Sequence, residues 1–474
     1  FDYGPLGSLL KRNVSNAWWR DFVVSRRDCM GLDSSIMSPS KIWEVAGHVD
    51  SFTDPQVECT QCGTAYRADH LVESAAKAAN AQHSVNAVPD GQSQLVHYDQ
   101  MLKQHNAKCA VCGTVASFTA AKPVGLLFQT TYGNLPAFLR PETAQGIFVN
   151  FSFLAQTSRR RLPFGVGQIG KAFRNEISPR NYLFRMREFE QMELEYFCSP
   201  EDSMKWYRYW VTFCREWLLR MGLRAESIRL QEYSAADLAH YAKACTDIEF
   251  KFPFGWGELW GIAHRGDFDL KRHHEANPSK QSLLFQDPAD NKKPGFFPHV
   301  VEPSVGLDRL LFAMLCDAYH EEMVPVSSSS SSSPSSSSAS ADHVSGAGAS
   351  SEDDVRTVLR LHEDVAPYRY AVLPLLKKQP MVDKADAIFE RLRVSMTGSK
   401  HSLAAVDFDA TGSVGRRYRR QDEAGTPCCI TVDHQTLQDD TVTVRARDSM
   451  RQVRISVGEL CDKLPGMADV DSSA

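Results

Sequence analysis

Between positions 203 and 221, large apolar residues recur at Trp206, Trp210, Phe213, Trp217 and Met221, a spacing that puts all five on one stripe of a helix. Ser199 suits its cap, Pro200 its first turn, and Gly222 its end. The stripe marks core packing rather than a cofactor site. Residues 9–24 form a second amphipathic helical pattern, followed by Ile36-Met37-Ser38-Pro39, whose proline suits a loop. After position 351, apolar runs at 370–376, 428–432 and 441–444 predict strands, with a helical pattern over 383–393 between them. That order describes a small α/β domain. Residues 327–351 are nearly all Ser with scattered Ala, Gly and Pro334, too poor in apolar groups to offset ordering entropy, and predict a disordered linker.

One stretch breaks the rule that an exposed face is uniformly polar. A strand over 185–193 would project Arg185, Arg187, Phe189, Gln191 and Glu193 to one side. Two guanidinium groups can fork phosphates, the ring can stack a base, and the carboxylate can hold an ammonium. A merely solvated strand is the alternative, but it needs neither Phe189 among its charges nor Arg174 and Glu176 across a hairpin.

Length and charge narrow the picture. With 474 residues, the chain is sized for about two or three domains. A net charge of −5 argues against wholesale coating of nucleic acid, so any RNA contact is expected from local patches such as Arg416-Arg417-Tyr418-Arg419-Arg420 and the arginines at 445, 447, 451 and 454. A solvated charged face is the other reading of those clusters. No apolar run reaches membrane-spanning length, so no membrane is expected. The chain begins without Met, which leaves room for upstream residues, a targeting peptide among them. A cytoplasmic location is expected, with an organellar one left open.

Of the 12 cysteines, four carry metal spacing: Cys59-x2-Cys62-Gly and Cys109-x2-Cys112-Gly are paired knuckles that can close a tetrahedral structural zinc site. The alternative is two reduced, unliganded turns. The polar segment between them reads as an insertion at 56–115, with His70, His83, His97 and His105 solvent-exposed. The remaining cysteines, including Cys428 and Cys429, read as buried apolar residues.

The arrangement Arg174-x-Glu176, loop, Arg185-x3-Phe189-x3-Glu193 resembles motif 2 of the class II aminoacyl-tRNA synthetases, and Glu302-Pro303-Ser304-Val305-Gly306-Leu307-Asp308-Arg309 resembles their motif 3, with Asp308 where the class has Glu. Residues 9–39 fit motif 1. The strings at 1–7, 139–146, 256–270 and 302–304 narrow the likeness to the homodimeric glycyl-tRNA synthetases, covering nearly the whole chain outside two insertions. This resemblance implies an α+β catalytic domain with a class II antiparallel sheet of six or seven strands at 1–326. It also implies a zinc-knuckle insertion and, at 352–474, a C-terminal α/β anticodon-binding domain. It implies ATP-dependent activation of glycine and transfer to glycine tRNA by a homodimer. Arg174 would meet the α-phosphate, Arg185 the γ-phosphate, Glu176 the adenine end, and Phe189 and Arg309 the two faces of adenine, with Asn175, Met186 and Leu259 beside them. Glu142, Glu193 and Glu302 would surround the ammonium of glycine, with Pro303 and Ser304 near its α-carbon. Magnesium would bridge phosphates, with Glu258 its protein carboxylate; a surface acid is the plainer reading of Glu258.

Arg416, Arg417, Tyr418, Arg419, Arg420, Arg447 and Arg451 would bind tRNA, although Ala446 replaces an acid usual in that family. A pocket cut to hydrogen size rejects alanine by overlap, so no editing domain is required, and none is apparent. Two rivals remain: a noncatalytic RNA-binding or accessory protein on the same scaffold, and an enzyme that charges another carrier. Retention of Arg174, Glu176, Arg185, Phe189, Glu193 and Arg309 argues against the first. The second would keep adenylation without the arginine patch.

Overall fold

The computed structural model describes residues 2–79, 93–234, 238, 242–277, 282–287, 294–323, 355–397, 405–464 and 467. The serine-rich segment at 327–351 and His83 lie outside them. Two compact units divide the chain: residues 15–218 with 225–313, and residues 2–14 and 219–224 with 314–474. The second therefore takes in residues 314–323, which the sequence reading placed with the first. The reason is local: strand Tyr319–Met323 pairs antiparallel with Val355–Leu359.

The first unit is built on a seven-stranded sheet. In chain order its strands are β1 (Cys29–Gly31), β2 (Phe164–Phe173), β3 (Glu188–Cys198), β4 (Ile228–Glu232), β5 (Ala244–Phe252), β6 (Gly255–Gly266) and β7 (His299–Gly306), and their spatial order is β1-β2-β3-β7-β6-β5-β4. Only β1 runs parallel to its neighbour; the other pairings are antiparallel. Helix α1 (Pro5–Trp19) continues as a π-helical turn, Arg20–Val24, that turns Phe22 and Val23 inward. The ring of Phe22 meets Trp210 at 5.9 Å, Trp217 at 5.8 Å and Trp260 at 5.5 Å. Trp210 and Trp217 come from helix α3 (Ser203–Arg220), so the apolar stripe is core. Gly222, at φ 97°, ends that helix. A second core lies between helix α2 (Ala144–Ser158) and β2, β3 and β7, around Phe148, Phe151, Phe164 and Phe197.

Strands Thr53–Glu58, Ala65–Arg67 and Lys122–Gly125 form a separate sheet that carries helices Ala68–Ala78 and Gln94–Gln104. Val57, Val72, Tyr98 and Met101 give it its own core. That packing overturns the expectation of exposed histidines: His97 is buried, and His70 and His105 are half-buried. Burial pushes His70 down to about 4, which keeps it neutral. Cys245, Cys316 and Cys461 are likewise only partly buried.

In the second unit a five-stranded mixed sheet has the order β9-β8-β10-β11-β12, where β8 is Tyr368–Pro374, β9 Ala405–Phe408, β10 Cys428–Val432, β11 Thr441–Ala446 and β12 Gln452–Ser456. Helix α5 (Met381–Thr397) packs Ile388 and Leu392 on it, and α6 (Val414–Ala424) is the other main helix. No helix among the described residues is long and apolar enough to cross a membrane.

Candidate active site

One face of the seven-stranded sheet, together with the loops above it, lines a cavity of about 380 Å³. Strand alternation sends Phe189, Gln191 and Glu193 from β3, Glu302, Ser304 and Gly306 from β7, and Gly261, Ala263 and Arg265 from β6 into it. Strict alternation would forbid Glu258 and Leu259 from both lining the wall. A bulge permits it: Ile248 pairs with Trp260 and Glu249 with Glu258, which leaves Leu259 as the extra residue.

The cationic end differs from the expected strand. β3 starts at Glu188, so Arg185 enters the cavity from the 3-10 turn Tyr182–Phe184. Arg187 is turned away, its Nε donating to the Glu176 carbonyl at 3.0 Å. Arg185 lies 3.8 Å from the Glu176 carboxylate. Arg174 donates to the Pro141 carbonyl at 3.1 Å and stands over the rings of Phe189 and Phe52, at 5.4 and 5.5 Å. Arg309, from the start of α4 (Leu307–Ala318), rests on Phe184 at 4.2 Å and approaches the Glu258 carboxylate at 3.4 Å. Its guanidinium face is thus covered by Phe184. Asp308 is buried and accepts from the Glu190 amide at 2.7 Å, tying α4 to β3 with a shorter side chain than Glu. Asn175 does not line the cavity; its backbone N–H donates to the Leu126 carbonyl, 2.7 Å away.

The acidic end holds Glu142, Glu193 and Glu302 around Arg265. Buried Arg265 donates to Glu302 at 2.8 Å and to Asp269 at 2.8 and 2.9 Å. Glu193 accepts from the Thr143 amide at 3.1 Å and from its hydroxyl. Burial pushes Glu142 up, but His48, 3.3 Å away, and Arg265 outweigh it and hold this carboxyl below its usual range. Burial raises Glu193, aided by the charge of Glu142. It also raises Glu302, with Arg265 opposing the shift. The site is short of cations, which suits it to receive one. Ser304 accepts from Gln191 at 3.3 Å. Pro303, next in the strand, pairs with Ile262 and stays off the cavity wall.

Sequence reading missed several wall residues, Phe184, Arg265, Tyr233 and Asp247 among them. Phe184 sits in the loop treated as a spacer, and Arg265 lay in a quoted string without a role. Tyr233 and Asp247 belong to no motif, yet Tyr233 donates to Asp247 at 2.6 Å. Burial and the charge of Glu258 push Asp247 up to about 7. For Arg265, a signal existed: an arginine flanked by Asp267 and Asp269 at the end of a hydrophobic strand.

Away from the cavity, the sulfurs of Cys59, Cys62, Cys109 and Cys112 lie within 4.8 Å of one another, with Cys59–Cys112 at 3.6 Å and Cys62–Cys109 at 3.5 Å. Four thiolates about 2.3 Å from one zinc would stand about 3.8 Å apart, so the donor set fits that ion. Each knuckle closes on a glycine of positive φ, Gly63 and Gly113, whose amide donates to the first cysteine's carbonyl. The Tyr66 hydroxyl, 3.1 Å from the Cys109 sulfur, and the Cys112 amide draw that thiol down to about 6.

In the C-terminal unit, the arginine cluster lies on α6 and splits. Arg416, Arg419, Arg420 and Arg451 are exposed, and Arg420 pairs with Asp409. Arg417 is buried, donating to the carbonyls of Pro374, Ala410, Thr411 and Gly412. Tyr418 is half-buried, bonded to the Thr431 hydroxyl and covered by Arg445 at 4.7 Å, so it offers no open ring for stacking. Arg447 is buried on the carbonyls of Leu361 and Gly425, at 2.8 and 2.9 Å. These three contradict the expectation of a surface patch: Arg417 and Tyr418 lie on the inner side of α6, which presents only its other side outward, and Arg447, just past β11, is drawn inward by the two carbonyls to which it donates. Asp422 and Asp448 hold Arg445 and Arg447, so Ala446 leaves neither unpaired.

Comparison with known proteins agrees with this geometry. Residues 134–319 match the family described as tRNA synthetase class II core domain (G, H, P, S and T), and residues 370–467 match the anticodon binding domain. The chain is similar to the glycine-tRNA ligase of Bacillus anthracis, at 46% identity over 468 residues, 97% of this chain and 91% of the relative. That of Geobacillus thermodenitrificans (strain NG80-2) is 45% identical over 465 residues, 97% and 90% of the two chains. Among solved structures, the RNA binding domain of threonyl-tRNA synthetase from Cryptosporidium parvum Iowa II superposes with a TM-score of 0.61 at 13% identity, covering 98% of this chain and 92% of that one. Prolyl-tRNA synthetase from Cryptosporidium parvum, complexed with L-proline and AMP, gives 0.57 at 12%, covering 99% and 73%. At such identities the two structures bear on the fold alone.

Proposed function

The chain belongs to the glycine-tRNA ligase family of class II tRNA synthetases, and on that premise we propose that its cavity joins glycine to ATP and passes the glycyl group to tRNA. The observation that carries this reading is the polarity of the cavity: Arg174, Arg185 and Arg309 at one end, Glu142, Glu193 and Glu302 at the other. Phosphates and an ammonium are the complementary ends of ATP and an amino acid. The glycine carboxylate attacks the α-phosphorus and pyrophosphate leaves; the terminal ribose hydroxyl of tRNA then displaces AMP. Both steps gain from alignment and from cations fixed where negative charge gathers, with little side-chain acid or base chemistry.

Arg174 and Arg185 balance that charge, and Phe189 supports the base. Arg309 closes over the nucleotide by leaving Phe184, and Glu176 orients Arg185 as well as the adenine end. Met186 and Leu259 complete the nucleotide wall. Ser304, with the acids, leaves room for hydrogen rather than a methyl at the α-carbon. Glu258, a hard oxygen donor at the wall, would hold magnesium, which neutralises phosphate charge when bound. Cys59, Cys62, Cys109 and Cys112 would hold a structural zinc, which fastens the two knuckles. Arg416, Arg419, Arg420 and Arg451 are the arginines of the second unit placed to meet tRNA phosphates. Exposed Met37, Tyr132 and Leu135 on the small sheet formed by Met37–Pro39, Phe128–Tyr132 and Leu135–Leu139 support a homodimer through that face. Charging of glycine tRNA with labelled glycine tests the reading: esterified glycine is expected only with ATP present, and an accessory protein would give none.

A further inference from the structure

Glu195 is the carboxylate of this cluster that the reaction above does not use. It lies on β3 two residues past Glu193, on the same face, and is 0% exposed. The pairs Val301↔Tyr196 and Ser304↔Glu193 place it directly across from Glu302. One oxygen from each of Glu193, Glu195 and Glu302 falls within 4.8 Å of the others. Glu302 is engaged by Arg265 and Glu193 by Thr143, yet neither Glu195 oxygen has a hydrogen-bond partner among the described groups.

Two ionised carboxylates facing each other in a buried ladder repel, and a buried acceptor with no donor carries its full desolvation cost. One proton on Glu195 removes both penalties, because it turns an acceptor into a donor with Glu302 opposite. We propose that Glu195 is a neutral carboxylic acid that donates a hydrogen bond to Glu302 and so positions that carboxylate for the ammonium of glycine; this rests on reading the acidic end as the glycine site.

The surroundings agree. Glu193 on the same strand and Glu302 on β7 add negative charge, and Arg265 on β6 opposes them; Gln168, which pairs with Glu193 from β2, is neutral. Burial and those two acids hold the Glu195 proton well above the usual carboxylate range. Glu195 is a positioning residue: it acts through Glu302 and leaves the nucleotide end untouched.

The test uses the full chain and two variants. Glu195→Gln keeps a neutral donor of nearly the same shape, and Glu195→Ala removes it. In glycine-dependent ATP–pyrophosphate exchange, Glu195→Gln is expected to keep the glycine KM within about threefold. Glu195→Ala should raise it about tenfold or more with the ATP KM unchanged, the cost of one hydrogen bond to a charged group. Infrared spectra should show a neutral buried carboxylic-acid carbonyl band in the native protein that Glu195→Gln removes. Equal impairment of both variants, or no such band, overturns the proposal. The band without glycine-dependent exchange in the native protein would sustain the proton on Glu195 and overturn the glycine reading instead.

Discussion

Replacing Arg265 by Met keeps most of the side chain's apolar volume and removes a cation that binds both Glu302 and Asp269. Three charge-assisted hydrogen bonds, at 2.8, 2.8 and 2.9 Å, disappear. Asp269 retains Gln145 at 3.0 Å, whereas Glu302 is left among Glu193 and Glu195. Breaking a buried ion pair from one side costs about 3–5 kcal/mol. The loss has a defined pH dependence. Without Arg265, Glu302 loses the charge that opposes its burial and holds its proton more tightly in the folded state than in the unfolded one, so the folded state binds more protons and stability rises as pH falls. Each proton taken up returns about 1.4 kcal/mol per pH unit across its range. Urea unfolding followed through the tryptophans of the first unit, at pH 8 and at pH 5.5, is the assay. The variant should be weaker by about 3–5 kcal/mol at pH 8 and by clearly less at pH 5.5. A deficit under about 1 kcal/mol, or one equal at the two pH values, would refute this account of the acidic end.

Arg174→Ala should abolish pyrophosphate exchange while leaving urea stability within about 1 kcal/mol, because it removes a contact to phosphate rather than core volume; near-normal exchange counts against its role. One zinc per chain is expected by metal analysis of protein purified under reducing conditions, and Cys109→Ser should lose it, since three thiolates leave the shell open. Full zinc content in that variant would mean the four sulfurs are not the ligands. Joint replacement of Arg416, Arg419 and Arg420 by Ala should weaken tRNA binding and flatten its salt dependence by roughly one unit of slope per lost contact. Arg417→Ala should instead lower the stability of the C-terminal unit, visible without any RNA, by leaving buried carbonyls without their donor.

Much of the cavity was legible because strand periodicity is strict: Phe189 and Glu193, or Glu302 and Ser304, share a face once the strand is recognised. The reading failed where backbone departs from period two. Arg185 reaches the cavity through a 3-10 turn and Arg187 turns away. Leu259 joins Glu258 on one wall through a bulge that no residue type announces. Pro303 was included by adjacency, though alternation already put it on the far face. On α6, a run of five residues rich in Arg looked like one surface, whereas a helix turns 100° per residue and buries Arg417 while exposing its neighbours. Polar contacts between neighbouring strands, such as Tyr233 with Asp247, leave no local trace in the chain.

Glycine-dependent ATP–pyrophosphate exchange on the full chain, run in parallel with alanine, tests the central claim most directly. The carboxylates around Arg265 and the hydroxyl of Ser304 should admit glycine and exclude a methyl at the α-carbon. Rapid exchange with glycine and little above background with alanine is the expected result. Comparable exchange with alanine, or none with glycine, would contradict the reading of the acidic end as a glycine site.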